Sequence, residues 1–124
     1  MTSPSMPAPR FRYTPCVKTG PIYTVSGMIG LDPATGALAP GGVAAQTRQI
    51  LANLKAALPD YGLELEHMMA ARLYVVPFEQ FPAVNAVWDE CFADVAPPAR
   101  TSVGVSALPL GALVEIEFSF YRAD

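Results

Sequence analysis

Pro97-Pro98-Ala99-Arg100-Thr101-Ser102-Val103, followed by Leu108-Pro109 and Ala112-Leu113-Val114-Glu115-Ile116-Glu117, is the stretch that decides how this chain folds. Two prolines stiffen the approach to an apolar strand that opens on a lone arginine. A second apolar strand follows and carries two glutamates. Side chains alternate faces along a strand, so Ile116, Phe118 and Phe120 share one face, and Glu115, Glu117 and Ser119 the other. In the first strand Thr101, Val103 and Val105 point one way; Arg100, Ser102 and Gly104 point the other. The aromatic face belongs under helices. The opposite face is expected to carry Arg100, Ser102, Glu115 and Glu117 together, where partner subunits meet. A guanidinium held there is a planar fork for a carboxylate, and a neighbouring glutamate can orient a water or move a proton.

Paired as a regular hairpin across residues 106–113, these strands set Gly104 near Glu115 and Arg100 near Ser119. Arg100 and Glu115 then stand on the order of 13 Å apart along the ladder, too far to share a small ligand. The expected site therefore joins Arg100 of one subunit to Glu115 of its neighbour. Glu117, on the same face, is an alternative to Glu115.

Upstream, Phe78, Phe81, Val84, Asn85, Trp88, Cys91 and Phe92 fall on one side of a helix, with Pro82 tolerable in its first turn. Met68 to Val76 reads as a central strand stopped by Pro77. Before it, Val43, Thr47, Ile50, Leu51, Leu54 and Leu58 repeat at helical spacing up to Pro59, with Gln46, Arg48, Gln49, Asn53 and Lys55 off the stripe. Ile22 to Ser26 is a β-branched strand, and Phe11 to Val17 an edge strand, since Pro15 excludes a central one. Asp32-Pro33-Ala34-Thr35-Gly36 is a tight turn. Residues 1–9, with Pro4, Pro7 and Pro9, read as a flexible N-terminal arm, leaving 10–124 as a single domain. The layout is α+β: a mixed sheet with two helices on one face.

The chain has 124 residues, a net charge of −3 and a sequence pI near 5.0. No basic stripe marks a nucleic-acid or membrane surface. Apolar residues make up 52% and charged residues 15%, too few charges to cover the outside of a small domain, so apolar surface is expected to be buried between subunits. Cys16 and Cys91 read as free thiols in a reducing, cytoplasmic setting, without a signal-peptide layout or a membrane-length apolar run. Cysteine is sparse and His67 is the only histidine, too few for a metal cluster, so no metal is expected.

Several short motifs occur in order: Val25-Ser26-Gly27, Leu31-Asp32-Pro33-x-Thr35-Gly36, Ala45-Gln46-Thr47-Arg48-Gln49, Leu51-x-Asn53-Leu54-Lys55, Phe81-x-x-Val84-Asn85, Pro98-Ala99-Arg100 and Leu108-Pro109-x-Gly111 through Glu117. From about Tyr13 to Tyr121 the chain resembles the Rid family, the reactive intermediate deaminases also called the YjgF family. The resemblance implies a chorismate-mutase-like subunit in a homotrimer with sites between subunits. It implies hydrolysis of 2-imino acids and their enamine precursors, such as 2-aminoacrylate, to 2-keto acids and ammonia, without a cofactor. It assigns Arg100 to the substrate carboxylate, Glu115 to the water, and Tyr13, Ser26, Gly27 and Asn85 to the substrate site. Ser102 occupies a position that is often cysteine or threonine in relatives, where its hydroxyl can hold the water; no histidine or lysine at triad spacing activates it as a nucleophile. The chain departs from the family at Phe11-Arg12, where Gly-Pro is common, and at Met28-Ile29-Gly30, where Gln-Ile-Pro is common. Those positions border the expected cleft. The competing readings are a non-catalytic small carboxylic acid-binding or regulatory protein on the same scaffold, and a ribonuclease, against which the acidic balance counts.

Overall fold

Among the described residues five strands form one mixed sheet: β1 (Cys16–Thr19), β2 (Ile22–Ile29), β3 (Met68–Val75), β4 (Ala99–Gly104) and β5 (Val114–Tyr121), in the spatial order β1-β2-β5-β3-β4. Two helices, α1 (Gly42–Tyr61) and α2 (Phe81–Cys91), share one core with the sheet's apolar face. The computed structural model describes residues 1–123; Asp124, the last residue of the expected domain, lies outside them.

The core follows from period two meeting period 3.6. Ile116, Phe118 and Phe120 of β5, Ala71, Leu73 and Val75 of β3, and Tyr23, Val25 and Met28 of β2 are buried on one face. Against them α1 buries its whole expected stripe, Val43, Thr47, Ile50, Leu51, Leu54 and Leu58. It also buries Gln46 and Asn53, against expectation. Gln46 Oε1 accepts the Leu113 N–H at 2.9 Å and Asn53 Nδ2 donates to the Leu31 carbonyl at 2.8 Å. These amides satisfy loop backbone that would otherwise be buried without partners. Pro59 does not end α1. The helix runs to Tyr61 and stops at Gly62 (φ 72°), where Gly62 N–H bonds Pro59 O and Leu63 N–H bonds Leu58 O, the paired bonds of a Schellman stop.

The expected hairpin between the last two strands does not form. β3 lies between them, parallel to β4 and antiparallel to β5. A buried central strand needs a hydrogen-bonding ladder on each side, and β3 takes both. The rows read Arg100–Ala71–Phe118, Ser102–Leu73–Ile116 and Gly104–Val75–Val114. Arg100 is thus level with Phe118 rather than Ser119, and a one-residue difference moves every side chain to the other face. Arg100 and Ser102 belong to the helix-covered face, not to the face of Glu115 and Glu117. Thr101 and Val103 instead share the open face with Arg72, Tyr74 and the two glutamates.

At the other edge, the strand expected over 11–17 is displaced to Cys16–Thr19, beyond Pro15, which lacks the N–H a ladder needs. Residues 1–9 lie against the domain. The Met1 amine donates to Cys16 O at 2.7 Å, buried Ser3 donates through Oγ to Asp60 at 2.5 Å, and Met6 packs on the core. Both cysteines are unpaired, and burial pushes their thiols above the ordinary value. Among the described residues, no helix is long and apolar enough to cross a membrane.

Candidate functional site

Arg100 opens the edge strand β4, just beyond Pro97-Pro98, and its side chain lies against α2. Its Nη2 donates to Asn85 Oδ1 at 2.8 Å. Its guanidinium carbon stands 5.4 Å from the ring centroids of both Phe81 and Trp88. Phe81, Asn85 and Trp88 are spaced four and three apart, so one stripe of α2 supplies two aromatic faces and the amide between them. Cation–π attraction and one hydrogen bond hold the charge without cancelling it. Among the described residues no carboxylate forms an ion pair with Arg100. Ser102, two residues on and half-buried, lies on the same side of the edge strand.

A second group of the expected site residues lies at the far end of β2. Between the pairs Val25–Phe118 and Met28–Ile116, two residues, Ser26 and Gly27, oppose the single Glu117. This β-bulge restores Met28 to the core and turns Ser26-Gly27 outward. Ser26 is tied back by Oγ donating to Thr14 O at 2.6 Å and by its N–H on Pro15 O at 2.9 Å, which fixes the approach of Tyr13. The Glu115 carboxylate lies on Gly27: a Cβ placed there would sit 2.8 Å from Oε2. Tyr13, Ser26, Gly27 and Glu115 together line a cavity of about 100 Å³. Among the described residues no group of His, Cys, Asp and Glu gathers as a metal would need.

The two glutamates have different surroundings. Burial, then the charge of Glu117, raises the Glu115 carboxyl above its ordinary value. Glu117 accepts the Tyr74 hydroxyl at 2.9 Å and lies 3.9 Å from Arg72 Nε; that hydrogen bond, ahead of burial, raises the Tyr74 phenol. Glu117 is therefore engaged within its own chain, and Glu115 is the carboxyl that faces the cavity.

The predicted residues thus fall into two groups. Arg100, Ser102 and Asn85 form one, and Tyr13, Ser26, Gly27 and Glu115 the other. Glu115 is three rows along and two strands across from Arg100, about 14 Å by strand geometry, and on the opposite face. Sequence reasoning missed Phe81 and Trp88 as the bed for Arg100, although their spacing around Asn85 carried that signal. It also missed Met6, Arg10 and Leu110 as cavity wall, for which no local pattern exists.

The small α+β fold thus carries, among its described residues, an arginine without a carboxylate partner at one sheet edge and a raised carboxyl in a cavity beside the bulge. The family model described as Endoribonuclease L-PSP matches residues 3–120, and the chain belongs to this family, the Rid or YjgF family. A RutC family protein of Aquifex aeolicus is 37% identical over 116 residues, covering 93% of this chain and 92% of that one. A protein of Bos taurus named 2-iminobutanoate/2-iminopropanoate deaminase is 36% identical over 105 residues, covering 85% of this chain and 76% of its own length. The crystal structure of the E. coli YjgF gene product superposes with a TM-score of 0.91 at 34% identity, covering 97% of this chain and 95% of that one.

Proposed function

We propose that the chain is a hydrolase of 2-imino acids and their enamine tautomers, 2-aminoacrylate among them, releasing 2-keto acids and ammonia in the cytoplasm. The working unit is a homotrimer of chorismate-mutase-like subunits. Its sites are completed by Arg100, Ser102 and Asn85 from one subunit and Tyr13, Ser26, Gly27 and Glu115 from the next. The observation that carries this reading is Arg100: a guanidinium propped by Asn85, Phe81 and Trp88, with no carboxylate among the described residues to satisfy it.

The chemistry is balanced by water alone. Arg100 takes the substrate carboxylate on its fork. Glu115 orients a water against the imine carbon and accepts its proton as the C–O bond forms, giving a carbinolamine. The same carboxyl, raised by burial, passes that proton to the nitrogen, then draws off the remaining hydroxyl proton and delivers it to the nitrogen as well. The C–N bond breaks as the C=O bond forms, ammonia leaves carrying both protons of the water, and the keto acid remains. An imine is reactive already, so positioning plus one proton relay suffices. Ser102 holds the water through its hydroxyl, and the Ser26-Gly27 bulge supports the substrate. The net charge of −3 supplies no groove for an RNA backbone, so the deaminase-named relatives rather than the ribonuclease description guide the reading.

The test generates imines in situ from several amino acids with an amino-acid oxidase and follows keto acid release. Accelerated release that is lost in Arg100→Ala supports the proposal. Keto acid binding without acceleration of any imine would make the chain a carboxylic acid-binding protein instead.

A further inference from the structure

Gln46, Gln49 and Asn53 follow one another three and four apart on α1, so they line one side of that helix. Gln49 Nε2 donates to Asn53 Oδ1 at 2.8 Å, and Asn53 Nδ2 donates to the Leu31 carbonyl. Gln46, only 6% exposed, accepts the Leu113 N–H through Oε1. Leu31 belongs to one wall of the cavity at the bulge; Pro109 and Leu110, just before Leu113, belong to another. One buried amide row therefore holds two loops that are remote in sequence.

The rung where those loops start is the one that carries Glu115. Among the described residues Glu115 pairs with Ile29 at the end of the β2–β5 ladder, and Val114 pairs with Val75 at the end of the β3–β5 ladder. Ladder ends open at the lowest cost. Both strands leave the Ile29–Glu115 rung onto Gln46. After Ile29, Gly30 lies on the helix backbone, where a Cβ would stand 2.8 Å from Gln46 Cα. Two residues before Glu115, the Leu113 N–H is pinned by the Gln46 side chain, and the Leu113 carbonyl accepts the Val76 N–H at 2.9 Å. We propose that Gln46 is a positioning residue for the hydrolysis: through Leu113 and Gly30 it fixes the Ile29–Glu115 rung, and with it the place of the Glu115 carboxyl. Gln46 is not itself in the cavity wall. The proposal rests on the deaminase reading above.

The experiment compares Gln46→Met, which keeps the side-chain length and removes the acceptor, with Gln46→Glu, which presents an acceptor oxygen in either protonation state. Gln46→Asn, one methylene shorter, is the milder variant in case Gln46→Met does not fold. Thr47→Val is the control. Thr47 is fully buried beside Gln46, but its hydroxyl donates to the Val43 carbonyl of its own helix at 2.7 Å. The readouts are kcat and KM for imines generated in situ, well below every melting temperature, and hydrogen exchange over residues 105–115. A misplacement of about 1 Å costs on the order of a hundredfold in rate, so Gln46→Met is expected to lower kcat by about tenfold with KM unchanged. Gln46→Asn is expected to lower kcat in the same direction, Gln46→Glu to recover most of the loss, and Thr47→Val to keep the parent kcat. Parent kcat in Gln46→Met or, where that does not fold, in Gln46→Asn, a rate loss that Thr47→Val shares, or a folded Gln46→Glu as slow as Gln46→Met overturns the inference and leaves the deaminase reading standing. With no turnover of any imine by the parent that reading fails, and exchange decides the rest. Faster exchange in the Gln46→Met or Gln46→Asn protein but not in Thr47→Val supports the hold on the rung; equal exchange overturns it.

Discussion

Replacing Gly27 by alanine isolates the role of the Glu115 carboxyl with a single methyl group. Gly27 is not at positive φ, so alanine imposes no backbone strain there. What it meets is the Glu115 side chain: the new Cβ would lie 2.8 Å from Oε2, 3.0 Å from Cδ and 3.2 Å from Cγ, whereas ordinary contact begins at 3.4 Å. The carboxylate must therefore retreat by about 0.6 Å. A misplacement of about 1 Å costs on the order of a hundredfold in rate, so Gly27→Ala is expected to lower kcat for imine hydrolysis by about 10- to 20-fold. The obstacle is the far end of a flexible side chain, so the fold is expected to lose less than about 1 kcal/mol.

Gly30→Ala supplies the contrast. There the added Cβ would stand 2.7 Å from Gln46 O and 2.8 Å from Gln46 Cα, which is helix backbone and cannot swing aside. That variant is expected to lose about 1–3 kcal/mol by overpacking. The assays are keto acid release under saturating imine and thermal unfolding of both variants. A Gly27→Ala protein within twofold of the parent rate, or one whose rate loss merely follows its loss of stability, would refute the reasoning that this contact sets the working position of Glu115.

Glu115 also makes stability depend on pH. Burial and the Glu117 charge raise its folded-state pKa above the ordinary carboxylate value, so the fold favours the protonated form, and its stability falls as pH rises from that ordinary value through the raised one. Glu115→Gln should be more stable than the parent at neutral pH and lose that advantage in acid, as chemical denaturation across the range would report; an advantage independent of pH would contradict this. Arg100→Lys keeps the charge but loses the fork and its match to Asn85 and the two rings, so keto acid binding by calorimetry should weaken by about tenfold or more, one charge-assisted bond being worth about 1.5–3 kcal/mol. Among the described residues the buried Tyr61 hydroxyl has no hydrogen-bond partner, and burial, then Cys16 and Asp60, push its phenol up to about 12. Tyr61→Phe should therefore raise the melting temperature or leave it unchanged, since an unpaired buried hydroxyl costs about 1–3 kcal/mol; a marked fall would show that the hydroxyl has a partner in solution.

The two helices and the inward faces of β2, β3 and β5 were legible because burial writes itself as period 3.6 or period two. The Asn85 position was legible through the resemblance, and Glu115 and Arg100 stood out as charges at the ends of apolar strands. Strand order was not legible. Neighbours in sequence read as neighbours in space, whereas the insertion of β3 between β4 and β5 is set by long-range pairing that no local window contains. That displacement carried the face of Arg100 with it, because Phe118 rather than Ser119 shares its row. Gln46 and Asn53 were hidden for a different reason. Polar residues on a helix usually mark its wet side, yet these two are buried because loop backbone at Leu113 and Leu31 needs their amides. The bulge at Ser26-Gly27 leaves no mark in hydropathy, although it is what aims that pair at Glu115.

Placing Arg100 and Glu115 on opposite faces strengthens the argument for a shared site, even though the hairpin that first suggested it is absent. On one face they would be separated only by distance, which a long side chain partly closes. With a sheet between them, no rotamer of either brings the two groups to one small molecule within a chain. On the proposed reading activity comes from assembly, and subunit mixing tests this with a definite magnitude. Arg100→Ala and Glu115→Gln trimers should each be inactive. If they are dissociated and reassembled together in equal amounts, a site is intact when its arginine comes from a Glu115→Gln subunit and its glutamate from an Arg100→Ala neighbour. In a cyclic trimer with random exchange this holds for about a quarter of sites. Recovery near a quarter of the parent's keto acid release, appearing only after reassembly, is the expected result. No recovery from a mixture shown by mass to contain hybrid trimers would mean that both groups act from a single chain, by a geometry this fold does not provide.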